Sequence, residues 1–503
     1  MAGPNPYDVF PYRSRSYIDS HIDRLFTIGH LFGMDPAPID RCRVLEIGCA
    51  DGGNLVPMAE RLPGSEFIGI DLSERQIEDG LKWVEPLGLD NLQLLHRNFK
   101  RLPAKYGNFD YIVCHGVFSW IPEREQPKLL EMIRGRLTDR GIAYISYNTF
   151  PGWHTRRTLR DFVMQHSSGI TDPDQRIEQA HTLLKFLHDA SSDETHYGKL
   201  VRGQCQQLLG TPPQYMLHGF AAEHNYPVYF RDFVKLAAEA DLQYLGDAEF
   251  GLMMPDRLHP AGRQAMENVP GGVIEHEQVQ DYLVNRAFRR SLLIRSGQEL
   301  QRSIPWERVE PLFMSARAKL LKGEIEGYEE ARFDAPNHWF QTDSPVLKGG
   351  LAELAAAWPN NLLFAEWVAR TAERTGRPGV EVRAMLGRNV LPLYTKGVVQ
   401  LHSRPLGLAT EVGDYPCTTP WIRRRAELAK WVTDLRHGMR NVPAIPRFVL
   451  QLCDGKTPRK ILRKKLADEH RLGRLTVTPS IEQGLEDALQ GLLDRSLFLR
   501  PED

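Results

Sequence analysis

The chain is poor in cysteine and uses none of it in close pairs. Its six cysteines, Cys42, Cys49, Cys114, Cys205, Cys417 and Cys453, form no C-x-x-C pair. A disulfide framework or a zinc ribbon needs tighter spacing, so they read as free thiols in a reducing compartment. The histidines are scattered without ligand spacing, which argues against a bound zinc or iron. No apolar run approaches the ~20 residues that span a bilayer. The opening MAGPNPYDVFPYRSRSY lacks the apolar centre of a secretory signal. A soluble, cytoplasmic protein is the expectation. Neither sign of charge dominates: 63 basic and 64 acidic side chains leave a net charge of -1. No global field therefore draws the chain to nucleic acid or to an anionic membrane. A Walker loop and a G-x-S-x-G nucleophile elbow are also missing from the sequence.

What is present is an ordinary globular composition, 42% apolar and 25% charged over 503 residues. At roughly 100–200 residues per domain, that length suggests about three domains. Short apolar runs alternate with helical patterns through the first 150 residues. Strands are expected at 43–48, 66–71, 92–95, 109–115 and 141–147. Helices are expected after 53 (shortened by Pro57), after Ser73 and over 125–137. Ser73 caps its helix with Gln76 as the capping-box partner, and Gln76 is also a candidate cofactor-binding residue. That rhythm predicts an α/β fold with a parallel, doubly wound, Rossmann-like sheet. Residues 156–220 read as a helical insertion, either a lid or a contact in a homodimer. Strand character returns at 242–250. The expected organisation is a cofactor-binding domain over 1–255, a middle helical region over 256–325 (helical across 276–298) and a C-terminal α+β region over 326–503. Within the last, 389–405 and 488–501 each read as helix end, turn, apolar strand and Arg-Pro, which suggests two winged-helix-like units.

The informative segment is VLEIGCADGG, residues 44–53. A strand runs into a glycine-rich turn, and a helix follows. Small residues let a ligand approach the backbone, and the helix start offers free N–H groups. Asp71 ends the next strand, where a carboxylate can accept both hydroxyls of a ribose. Two cofactors fit. Gly48-x-Ala50-x-x-Gly53 can be aligned with the dinucleotide pattern, although alanine replaces the glycine that admits a pyrophosphate. Glu46-Ile47-Gly48-Cys49-Ala50-Asp51-Gly52 also matches the turn of S-adenosylmethionine enzymes. Glu46 discriminates, because a buried carboxylate suits a cationic aminoacyl sulfonium and repels a pyrophosphate. A ligand-free turn with Asp71 as a helix cap is the plainer alternative.

Residues 44–80, HGVFSWIP (115–122), SYNTFPGWHTRRTLRDF (146–162), YPVYFRDFVKLAAEADLQYLGDAEF (226–250) and the early YRSRSY carry a resemblance. They look like bacterial class I S-adenosylmethionine-dependent methyltransferases with a methyltransferase regulatory domain, a group that includes the rickettsial protein lysine methyltransferases. The resemblance implies that Gly48, Cys49 and Ala50 wrap the aminoacyl part and that Asp71 binds the ribose. It implies that Leu72 packs on the adenine and that Asn98 and Phe99 flank it. Asn98 stands where many members have aspartate, and Ala50 where glycine is usual. In the N-terminal arm of Tyr12, Arg13, Ser14 and Tyr17, it implies that Tyr12 and Ser14 face the cofactor.

Methyl transfer from a sulfonium needs alignment and desolvation of the acceptor. The groups that do this belong just beyond the fourth and fifth strands. Those positions hold His115 to Trp120 and Tyr147 to His154. His115, beside the cofactor, or Tyr147 could take a proton from an amine. Phe118, Trp120, Phe150 and Trp153 would wall a channel for an alkylammonium, or pack the core. No Asn/Asp-Pro-Pro-aromatic tetrad follows the fourth strand, which argues against base or glutamine-amide methylation. The basic clusters KTPRKILRKK (456–465) and Arg423-Arg424-Arg425 read more simply as a solvated helix face, with Ile461, Leu462 and Leu466 on its buried side, than as a nucleic-acid site. The expectation is methyl transfer to a protein side chain, lysine nitrogen first. A small-molecule or peptide acceptor is the second reading, and a non-catalytic sensor of S-adenosylmethionine the third.

Overall fold

The computed structural model describes residues 14–170, 172–211, 224–335 and 338–500, together with Asp8, Tyr12, Gly219 and Ala222. Arg13 lies outside the described residues. Seven strands form one sheet: β1 (Arg43–Ile47), β2 (Glu66–Asp71), β3 (Leu92–His96), β4 (Phe109–Cys114), β5 (Leu137–Asn148), β6 (Leu242–Asp247) and β7 (Phe288–Arg295). Their spatial order is β3-β2-β1-β4-β5-β7-β6. The first five pair in parallel, and β7 runs antiparallel to both β5 and β6. The order reverses between β1 and β4, and a crevice opens beyond the carboxyl ends of strands at such a point. Alternate residues feed two cores. Val44, Tyr111 and Tyr144 face one, while Leu45, Ile112 and Ile145 face the other.

The sequence misplaces one strand. Over 276–298 a helix is expected, but the helix Val273–Val284 stops at Asn285, whose φ is 50°. The chain then returns as β7, an interior strand with Leu292, Leu293 and Ile294 fully buried. An apolar run this short fits a buried strand or a buried helix equally well, and only its neighbours decide. Arg289 is also buried in β7. Its guanidinium donates to Asp281 (2.7 Å) and Glu277 (2.9 Å) on that helix, so strand and helix are tied by charge. The boundary expected between 255 and 256 consequently falls inside the sheet, between β6 and β7.

The insertion is helical where it is described, with α-helices Trp153–Ser167, Pro173–Ala190 and His196–Leu209. They close a small core of their own around Leu159, Val163, Leu184, Val201 and Cys205. Farther on, β8 (Phe313–Ser315) is followed by an antiparallel sheet of β9 (Leu320–Lys322), β10 (Ala331–Ala335) and β11 (His338–Thr342). The boundary expected between 325 and 326 lies within that sheet, because β9 pairs with β10. Next come helix Pro345–Ala357, β12 (Leu362–Leu363), helices Phe364–Thr375 and Gly379–Thr395, and β13 (Gln400–His402), with β12 and β13 flanking β8. Helix–strand–helix–helix–strand is the order of a winged helix.

A separate core closes the C-terminal part around Val449, Leu462, Leu485, Leu489 and Phe498. Within the basic helix Arg459–Arg471, Leu462 and Leu466 are buried, whereas Ile461 turns outward. Arg463 pairs with Glu482 at 2.6 Å, Arg459 pairs with Glu486, and Arg424 pairs with Glu427 at 2.5 Å. No helix among the described residues is long and apolar enough to cross a membrane.

Candidate active site

The turn after β1 is built by exclusion. Gly48 has φ 76°, and a Cβ there would lie 2.4 Å from Cγ2 of Val117. Only glycine meets both demands. Ala50 adopts φ 50° despite its side chain, and its N–H donates to Asp71 Oδ2 at 2.9 Å. The Ser73 N–H donates to Asp71 Oδ1 at 2.8 Å. Two backbone donors therefore fix the Asp71 carboxylate, and each of its oxygens keeps a lone pair for a ribose hydroxyl. Burial raises its pKa against these bonds.

Glu46 is the other anchor. It is 3% exposed at the floor of the turn. Its Oε1 accepts from Asn54 Nδ2 at 2.8 Å, while its buried Oε2 meets no hydrogen-bond partner among the described residues. Burial pushes its pKa to about 8, a rise that Asn54 moderates and the charges of Asp71 and Asp51 reinforce. A buried carboxylate oxygen without a donor, beside two more carboxylates, calls for a cation. The α-ammonium of an aminoacyl sulfonium supplies one, whereas a dinucleotide would bring its anionic pyrophosphate to this turn.

Asn54 links this anchor to distant parts of the chain. Its Oδ1 accepts from the Tyr17 N–H (2.9 Å) and from His437 Nε2 (2.9 Å), while its Nδ2 also donates to Ser20 Oγ (3.1 Å). The Asn54 oxygen is already fixed as an acceptor, so His437 must carry its proton on Nε2. His437 is buried at φ 65°. Burial, with His21 beside it, lowers its pKa and keeps it neutral. Nothing in the sequence points to His437. Asn54 does have a signal, as the first polar side chain after the glycine turn.

His115 follows β4 and is oriented on three sides. Its Nδ1 lies 2.8 Å from the Tyr144 hydroxyl. The Tyr17 ring stacks on it at 3.6 Å, and Phe288 stands edge-on at 5.9 Å. Gly116, at φ 68°, turns the chain away and donates to Ser146 Oγ at 2.9 Å. Burial, with Arg290 and Arg15 nearby, lowers the imidazole pKa to about 3. This ring is neutral at physiological pH and a weak base. It can orient a nucleophile by hydrogen bonding better than it can hold a proton.

The other expected residues divide. Tyr147 is core: it is 1% exposed, stacked on Phe233 at 4.0 Å and bonded to Ser291 Oγ at 2.9 Å. Its phenol is raised by burial. The proton-accepting role expected of it is corrected on that ground. Phe118 is core as well. Trp153 is 4% exposed and meets Trp120 edge-on at 6.3 Å. Phe150 stacks on His154 at 4.3 Å, and His154 Nε2 lies 3.0 Å from the Tyr229 hydroxyl.

Leu72 is 49% exposed next to Asp71, open for a flat apolar partner. The Gln76 side chain does not reach back to close a capping box. Its backbone N–H donates to Ser73 Oγ (3.1 Å), and its buried Nε2 has no partner among the described residues. Asn98 Oδ1 caps the short turn after β3 through the Lys100 N–H at 2.9 Å. Phe99 is buried in the core, so what it can offer a ring is its backbone. Ser14 is a clamp: its Oγ accepts from the Gly53 N–H at 2.6 Å and donates to Asp51. Tyr12 meets the Tyr17 hydroxyl at 3.0 Å. Among the described residues no cluster of His, Cys, Asp or Glu could hold a metal ion.

Three family models match the chain: a methyltransferase domain over residues 44–141, a predicted methyltransferase regulatory domain over 212–295 and a PKMT C-terminal winged helix domain over 414–498. Two uncharacterised proteins of Rickettsia prowazekii are similar. RP789 is 30% identical over 95% of this chain and 88% of its own length. RP028 is 37% identical over 48% of this chain and 96% of its own length. The solved structure of PKMT2 from Rickettsia typhi, also known in complex with AdoHcy, superposes with a TM-score of 0.88 at 26% identity, covering 97% of this chain and 100% of that one.

Proposed function

We propose that this chain, which belongs to the bacterial class I S-adenosylmethionine-dependent methyltransferases with a regulatory domain, methylates the ε-amino group of lysine in a protein substrate. It is an S-adenosylmethionine-dependent methyltransferase; the acceptor is our reading. The single observation that carries that reading is the full-length likeness to PKMT2, C-terminal winged helix included. A large appended region of this kind suits a macromolecular acceptor.

When bound, S-adenosylmethionine supplies a methyl group already activated on a sulfonium. Glu46 and Asp71 hold the two ends of such a ligand, and Leu72 offers an apolar face to its base. The neutral His115 ring is held by Tyr144 and Tyr17. In the tautomer whose Nδ1–H donates to the Tyr144 oxygen, Nε2 presents a lone pair that aligns an entering amine. The cationic surroundings of Arg290 and Arg15 disfavour an ammonium there, so the amine loses its proton to water as it enters. His115 thus positions the nucleophile.

The test uses methyl-labelled S-adenosylmethionine and a fractionated bacterial lysate that includes envelope proteins. Base-stable label in protein is the expected result. Label that base removes would mean carboxyl esters, and label confined to small molecules would replace a protein acceptor with a metabolite. His115→Ala should bind the cofactor normally and transfer at least about tenfold more slowly.

A further inference from the structure

A cleft of about 410 Å³ lies one aromatic ring away from His115, which is not part of its lining. Phe288, which stands edge-on to His115, forms part of its wall, together with Arg156, Arg257, Arg286, Arg290 and Glu249. The acids within reach are spent. Glu249 takes both Arg257 (2.7 Å) and Arg290 (3.1 Å), Asp19 takes Arg290 from the other side (3.2 Å), and Asp281 takes Arg286 (2.5 Å). Arg156, in the first turn of the helix Trp153–Ser167, forms no ion pair or hydrogen bond among the described residues, and burial lowers its pKa. A half-buried guanidinium with no anion is costly unless something brings one.

The rim beside it is apolar and exposed. Tyr282, Leu283 and Val284 end the helix Val273–Val284 at 53%, 50% and 48% exposure, and Val284 reaches into the cleft. Apolar side chains left exposed at this helix end, Val284 in the cleft wall and Tyr282 against Tyr229, offer an apolar partner a surface to cover.

We infer that this cleft receives the acceptor segment of the protein substrate, and that Arg156 binds an aspartate or glutamate side chain close to the methylated residue while the Tyr282–Val284 rim holds an apolar neighbour. The inference rests on the reading of the acceptor as a protein. Charge selects the occupant: among the described residues of the wall, the charged group without an ion pair is Arg156, a planar cation that matches a carboxylate with two parallel bonds.

The test uses the full chain with S-adenosylhomocysteine and two fluorescent lysine-centred peptides, one flanked by glutamates and the other by glutamines. Anisotropy should show the glutamate peptide binding about tenfold more tightly, the size of one charge-assisted bond. Arg156→Gln should erase that preference, and Tyr282→Ser should weaken both peptides and keep it. Both variants should bind S-adenosylhomocysteine like the parent, which establishes that they fold. Equal binding of the two peptides, binding of neither, or a preference that survives Arg156→Gln overturns the inference. So does a concentration-dependent dimer, by sedimentation, that either variant disperses, because the occupant would then be a second copy. Failure of the protein-acceptor reading shows separately, as label confined to small molecules in the lysate experiment.

Discussion

Glu46 concentrates the chemistry of this site in one side chain. Burial pushes its pKa to about 8, and its Oε2 meets no hydrogen-bond partner among the described residues. Binding a cationic amino acid favours its ionised form and drives a proton off. Below pH 8 that loss must be driven by binding, so cofactor affinity should rise with pH up to about 8 and flatten beyond it. Calorimetry in buffers of different ionisation enthalpy should detect proton release near pH 7. Glu46→Gln should bind at least about tenfold more weakly and lose the part of the release that Glu46 supplies; a variant with unchanged release would remove Glu46 from the ammonium site. At this scale the sequence singles out Glu46, Asp71 and His115 by their places at or near strand ends, and the structure brings all three to the same edge of the sheet. The sequence was a poor guide to Tyr147, because a strand presents its residues to alternate faces. Tyr144 faces His115, whereas Tyr147 faces the Phe233 core.

At the scale of elements, the strand–turn–helix unit around Gly48 depends on a backbone shape. Gly48→Ala would place a methyl group against Val117 in a left-handed conformation. The expected outcome is a fold kept but destabilised by about 1–3 kcal/mol, with cofactor affinity lost. Thermal unfolding and calorimetry on one sample check both parts, and undiminished affinity would show that the turn tolerates a side chain. The first five strands are legible because parallel strands buried on both faces read as continuous apolar runs. β7 was not legible as a strand. Its sequence, FRRSLLIR, has two arginines at its start, and the ion pairs that allow Arg289 to be buried come from a helix earlier in the chain.

Across the whole molecule, the C-terminal part reaches the glycine turn after β1. His437 lies between β14 (Trp431–Thr433) and β15 (Met439–Asn441), and it reaches Asn54 across 383 residues of chain. A second contact, Asp23 to His402 at 3.1 Å, joins the helix Ile22–Leu31 to β13. His437→Phe removes the Nε2–H donor and leaves Asn54 free to turn away from Glu46. The expected effect is a rise of about tenfold in KM for S-adenosylmethionine with KM for the acceptor unchanged. His437→Gln, which restores an N–H donor, should recover most of it. Equal losses in both variants would make His437 a packing residue only.

The sequence by itself determined the class of sheet, the glycine turn, the carboxylates beside that turn and the position of His115. These are local properties, set by strand periodicity and by residues within a few positions of one another. Only the tertiary structure decided that β7 lies inside the sheet, that Tyr144 and Tyr17 hold His115, that Arg156 faces a cleft one aromatic ring away from it and that His437 orients the Asn54–Glu46 pair. Each of these depends on contacts between segments far apart in the chain. Their strength comes from burial and from the loss of alternative partners, which no local pattern encodes.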